Sequence, residues 1–124
     1  MSLELVKVTD KNEIKENKSI IFIQGENVSL FAISDTHLSF GTDKPMDSFP
    51  GWNDYVYRIE KNWNSVVNNE DTVVIAGDIS WAMNFDELLA DFSFINSLNG
   101  KKIIIKGNHD YWWNTATKMN KFLA

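Results

Sequence analysis

Cysteine is absent from the 124 residues, and proline and histidine occur only twice each. Without thiols there can be neither a disulfide nor a thiolate metal site, so any metal must be held by nitrogen and oxygen donors. The N-terminus has no long apolar stretch of the signal-peptide kind, and no apolar run approaches the length needed to cross a bilayer. A cytoplasmic protein with no membrane contact is the expectation. Positive charge is also short: 12 Lys and Arg against 17 Asp and Glu give a formal net charge of −5. That argues against a broad electrostatic surface for nucleic acid, although a local metal site can still attract phosphate. No strand-like run is followed by Gly-x-Gly-x-x-Gly, which disfavours a dinucleotide-binding domain.

What is present is an ordinary globular composition, 44% hydrophobic and 23% charged, in a length that suits one domain with one moderate core. Residues 1–19 read as a charged leader, either flexible or an edge strand. Two apolar runs, Ile20-Ile21-Phe22-Ile23 and Val28 to Ile33, surround a Gly/Asn turn and predict a hairpin. Residues 38–51 hold Gly41, Pro45, Pro50 and Gly51 and read as a long irregular loop. Trp52, Tyr55, Val56, Ile59, Trp63, Val66 and Val67 then recur at helical spacing.

Thr72 to Ala76 is a short apolar strand of the kind buried on both faces. Asn84-x-x-Glu87 has the form of a capping box, with Phe85, Leu88, Leu89, Phe92 and Ile95 as the apolar stripe behind it, and Asn99-Gly100 is a stop signal. Lys102 to Lys106 reads as another buried strand, and a final helix is expected to begin near Trp112. The order β-β-α-β-α-β-α predicts an α/β fold, a mostly parallel sheet with flanking helices.

Three polar clusters each follow an apolar strand: Asp35-Thr36-His37, Gly77-Asp78, and Gly107-Asn108-His109-Asp110. In an open parallel sheet the carboxyl ends of the strands share one edge, where ligands bind, so the clusters are expected to converge. Asp35, Asp78, His37 and Asn108 offer hard oxygens and one imidazole, a set suited to Mn, Fe or Zn. A carboxylate between two such ions can bridge them. Two metals about 3.5–4 Å apart can generate hydroxide and clamp both oxygens of an in-line displacement at phosphorus. Singly, each cluster reads more readily as turn or cap chemistry; together, in this order and each at a strand end, they point to a site.

The series Asp35-Thr36-His37-Leu38-Ser39-Phe40-Gly41, Gly77-Asp78-Ile79-Ser80-Trp81 and Gly107-Asn108-His109-Asp110-Tyr111-Trp112-Trp113 resembles the opening motifs of calcineurin-like metallophosphoesterases, in the wording of an uncharacterised bacterial branch. The resemblance runs from about Val28 to the C-terminus. It implies residues 20–124 as the N-terminal half of a metallophosphoesterase domain, half of a four-layer α/β/β/α sandwich. It implies a phosphomonoester or phosphodiester hydrolase with two divalent metal ions. Asp35 and His37 would bind the first metal, Asp78 would bridge both, and Asn108 would bind the second and help place the phosphate. His109 would stabilise or protonate the leaving oxygen, with Asp110 orienting its ring, and a metal-bound hydroxide would be the nucleophile.

Members of that family supply further histidines downstream, whereas both histidines of this chain are already used. The expectation is therefore the N-terminal part of a longer enzyme acting on a phosphorylated substrate; the alternative is a catalytically weak interaction scaffold on the same fold. An uncovered apolar sheet face, and self-association through it, follow from a missing second sheet. Trp81 and Trp112 are balanced between lining a substrate pocket and packing the sheet edge, Trp113 reads as packing, and Trp52 and Trp63 as core. Lys101, Lys102 and Lys106 read as a solvated rim.

Overall fold

The computed structural model of the chain describes residues 20–24 and 28–123, so the leader at 1–19 lies outside it. The expected hairpin is present: Ile20–Gln24 (β1) pairs antiparallel with Ser29–Ile33 (β2), with Ile20 opposite Ile33 and Gln24 opposite Ser29. Thr72–Ala76 (β3) then adds parallel to β2, and Lys101–Ile105 (β4) parallel to β3, in the order β1-β2-β3-β4. The helices Tyr55–Val66 (α1), Phe85–Ser97 (α2) and Ala116–Leu123 (α3) follow β2, β3 and β4 in turn. None of them is long and apolar enough to cross a membrane.

Both crossovers step the same way along the sheet, and Tyr55 and Trp63 of α1 share one core cluster with Leu88 and Ile95 of α2, so the two helices cover one face. The register fixes which side chains they cover. Phe31 lies opposite Val73, and Ile33 opposite Ile75, which in turn lies opposite Ile104; all five are buried. α1 contributes Tyr55 and Trp63 to that core, with Ile59 between them and Val67 just beyond, at the four-residue spacing that aligns side chains on one stripe. The Trp63 indole N–H donates to the Asn99 carbonyl at 2.8 Å, tying the end of α1 to the turn before β4. The alternate positions face the other way. Leu30, Ala32, Val74 and Ile103 are half-buried and Ile105 is 42% exposed. Among the described residues, this is the less buried of the two sheet faces.

Five expectations shift. Trp52 lies in the turn before α1 rather than on it, and is half-buried. In α2 the Asn84 side chain accepts the Glu87 N–H at 3.0 Å as a cap should, but Glu87 reaches back to the Met83 N–H. Leu89 leaves the apolar stripe, at 60% exposed, and Asp91 takes a fully buried place on it. α3 starts at Ala116 rather than near Trp112, because residues 111–112 form a turn and the Thr115 hydroxyl caps the helix by accepting the Lys118 N–H. Finally, Lys102 is half-buried and its ammonium donates to the Leu98 carbonyl, so it is no part of a solvated rim; burial pulls its pKa below the usual lysine range.

Candidate metal centre

Parallel pairing does not stop where β2 and β3 end. The Asp35 N–H donates to the Gly77 carbonyl at 3.1 Å, His37 to Asp78 at 3.0 Å, Leu38 to Ile79 at 2.8 Å, and Trp81 back to Leu38 at 2.9 Å. The buried Thr36 hydroxyl adds a bond to the Ile79 carbonyl at 2.9 Å. The first two loops are therefore zipped together along their length. Within this frame Asp35, His37 and Asp78 all take left-handed backbone angles, φ 57°, 41° and 49°. Residues with a Cβ avoid that region at about 1 kcal/mol each, and strain of this kind concentrates where a side chain must be aimed.

The third loop is brought in by close backbone approach. Gly77 has φ 90°, and a Cβ there would sit 2.8 Å from the Gly107 Cα. A Cβ on Gly107 would overlap both the backbone N and the carboxylate of Asp78. The two glycines thus allow close backbone contact between the second and third loops.

The aimed side chains meet. His37 Nε2 lies 3.6 Å from Asp35 Oδ1 and 4.0 Å from Asp78 Oδ2, and ligand atoms of all three lie within 4.8 Å of one another. Two ligands at about 2.1 Å from one ion can be at most about 4.2 Å apart, so both measured distances suit a shared divalent cation. The donor set of two carboxylates and one imidazole suits Mn, Fe or Zn. On the other side of Asp78, the Asn108 amide nitrogen can donate to both carboxylate oxygens, at 3.0 and 3.2 Å. Turned the other way, its oxygen faces those two oxygens at the same distances, an arrangement that a cation makes favourable.

His109 closes the group. Its backbone N–H donates to Asp78 Oδ1 at 2.9 Å, and its ring Nδ1 lies 2.9 Å from Asp78 Oδ2. Burial pushes the Asp78 carboxyl up, but these two hydrogen bonds, with the charges of His109 and His37, outweigh it and hold the group below the usual carboxylate range. An ionised Asp78 is what a bridging ligand requires.

One feature differs from the reading of the sequence. Asp110 does not orient the His109 ring. Its Oδ1 accepts the Ile79 N–H at 2.8 Å and the Trp112 indole N–H at 3.2 Å, and its Oδ2 accepts the Gly107 N–H at 2.6 Å. Its oxygens are occupied by the second and third loops, so it fixes their spacing while Asp78 holds the ring. Trp112 is buried at 2% exposure and belongs to the packing. Trp81 lies at the site: its ring stacks on His37 with centroids 4.9 Å apart and planes inclined by 23°, and Lys44 Nζ lies 5.1 Å from its centroid. The Trp52 ring also approaches His37, with centroids 6.1 Å apart. The Tyr55 hydroxyl donates to the His37 carbonyl at 2.9 Å, a contact with no signal in the sequence beyond its place on the α1 stripe.

The family model of calcineurin-like phosphoesterases matches residues 28–123. An uncharacterised protein of Methanocaldococcus jannaschii is 30% identical over 86 residues, covering 65% of this chain and 46% of that protein. The crystal structure of a protein of unknown function from Aquifex aeolicus superposes with a TM-score of 0.54 at 25% identity, covering 77% of this chain and 48% of that one. The chain thus spans about half the length of these two relatives.

Proposed function

The chain belongs to the calcineurin-like phosphoesterase family, and from that premise we propose that it carries the metal-binding part of a phosphoester hydrolase acting on a phosphomonoester or phosphodiester. The observation that supports this most is the convergence of Asp35, His37 and Asp78 on one point, each from a left-handed backbone position.

Asp35 and His37 would hold one divalent ion, Mn, Fe or Zn, and Asp78 would be shared with a second ion on the side of Asn108. When bound, two such ions supply charge neutralisation at phosphorus and an activated water. The chain's own residues supply the rest. The His109 ring is held at Nδ1 by Asp78, which leaves Nε2 as the atom available to protonate a leaving oxygen. Asn108 can turn its amide towards a phosphate oxygen. The Trp81 ring shields one face of His37 from water, and Asp110 keeps the second and third loops at a fixed separation.

The test is hydrolysis of p-nitrophenyl phosphate and bis(p-nitrophenyl) phosphate in Mn²⁺. The expected result is turnover that EDTA abolishes, that Asp78→Asn eliminates, and that His109→Asn lowers by about 10²–10⁴ in kcat. Metal-saturated protein without turnover on either ester would overturn the proposal. One observation favours the scaffold alternative: among the described residues, Asp78 and Asn108 give the second position oxygen donors alone. On that reading metal binds weakly and neither ester is hydrolysed.

A further inference from the structure

One fully buried ionisable group has no part in the chemistry above. Asp91 lies in the middle of α2, at 0% exposure, between Leu88 and Ile95 on the helix's apolar face. An apolar residue is the usual occupant of such a position, and a buried carboxylate without partners is costly. Its two oxygens show what it holds. Oδ1 accepts the Phe40 N–H at 2.8 Å. Oδ2 accepts a short hydrogen bond from the Ser80 hydroxyl, whose oxygen in turn accepts the Ala82 N–H at 3.0 Å.

Phe40 is three residues beyond His37, and Ser80 two beyond Asp78. Ser80 also forms an isolated parallel bridge with Leu38. The first loop is pressed onto the helix at a second point: a Cβ on Gly41 would overlap the Glu87 carbonyl, one turn before Asp91. One carboxylate therefore fastens both ligand-bearing loops to a single rigid element. Burial pushes this carboxyl up, and the bonds from Ser80 and Phe40 offset only part of that.

We propose that Asp91 is a positioning residue that sets the separation of Asp35 and His37 from Asp78, and so tunes divalent-metal affinity without touching the metal. This rests on the metal centre proposed above. Asp110 spaces the second loop from the third; Asp91 spaces the first from the second. Rigid groups outside the ligand set commonly change metal affinity by about 10–100-fold when removed.

The experiment is a calorimetric Mn²⁺ titration of the metal-free chain beside thermal unfolding and amide NMR shifts, for wild type, Asp91→Leu, Ser80→Ala and Asp71→Asn. Asp91→Leu keeps an apolar filler on the helix, and Ser80→Ala cuts only the second-loop half of the clamp, which serves if the first variant fails to fold. Asp71 is the control: also buried, with both carboxylate oxygens accepting hydrogen bonds, in its case from backbone N–H groups, at the far end of the strands. The proposal expects Mn²⁺ affinity to fall about tenfold or more in Asp91→Leu and several-fold in Ser80→Ala. It also expects displaced amide signals at His37 and Asp78 in both. Asp71→Asn should lower the unfolding temperature and leave affinity and those signals alone. If Asp91→Leu and Ser80→Ala match wild type in affinity and at His37 and Asp78, the proposal is overturned. If wild type binds no Mn²⁺, the metal-centre reading fails instead, and the amide signals still decide whether Asp91 sets the loops.

Discussion

The two ends of one sheet use the same device for different purposes. At the amino end of the strands, buried Asp71 accepts the Ser29 N–H at 2.8 Å and the Asn68 N–H at 2.7 Å, while its own carbonyl accepts the Lys101 N–H at 2.8 Å. At the carboxyl end, Asp91 and Asp110 likewise accept backbone N–H groups. The difference lies in what is clamped. Asp71 fastens the turns that start β2 and β4, and the left-handed residue beside it is Gly100, φ 88°, which carries no side chain to aim. Asp91 and Asp110 fasten loops in which Asp35, His37 and Asp78 occupy left-handed angles. Away from the site the left-handed angle falls on Gly100 and, in the turn before α1, on the exposed Asp54. It falls on carboxylates and imidazole where side chains must converge.

The largest effect that could break this contrast is on metal binding. Asp78→Ala should remove Mn²⁺ affinity by more than about 100-fold in a calorimetric titration, since it deletes the group shared by the other donors. Asp71→Ala should leave that affinity unchanged and instead lower stability in urea by about 2–4 kcal/mol, because two buried N–H groups lose their acceptor. Equal effects of the two on metal would erase the distinction.

Glycine substitutions sharpen it at the next level. Gly107→Ala should shift Asp78 and weaken Mn²⁺ binding about tenfold or more, since its Cβ has no space beside that carboxylate. Gly100→Ala should cost about 1–3 kcal/mol through its left-handed angle and the contact with the Asp71 carbonyl. Its metal affinity should stay at the wild-type value.

The smallest effect is a pH dependence, read from urea unfolding of the metal-free chain at a series of pH values. The Asp78 carboxyl is held below its ordinary value, so its contribution is present above the unfolded pKa and is lost as pH falls through the folded one. Asp91 is pushed up, so stability declines as pH rises from the unfolded value through the folded one. Asp78→Asn should flatten the acid limb. Asp91→Asn should remove the opposing slope at higher pH.

The element order and the three loop motifs were legible because each parallel strand is a short, mostly apolar run followed by a polar cluster, and parallel topology brings such ends together. The converging ligands were legible for the same reason. The partners of Asp110 were not: the family resemblance implied a contact with the His109 ring, whereas a turn after Gly107 folds the carboxylate back onto backbone N–H groups 3 and 31 residues away. Asp91 had a signal that a stripe of apolar residues concealed. Between Leu88 and Ile95 it occupies the same helical face, where an ionisable residue demands partners. The start of α3 was misplaced because three consecutive large aromatics, Tyr111 to Trp113, resemble a helical face, while Thr115 supplies the cap.

The most direct test is a Zn²⁺-soaked crystal examined at the metal absorption edge. The account predicts an anomalous peak at about 2.0–2.2 Å from Asp35 Oδ1, His37 Nε2 and Asp78 Oδ2. No peak there, or one that leaves Asp78 outside the coordination sphere, would contradict it.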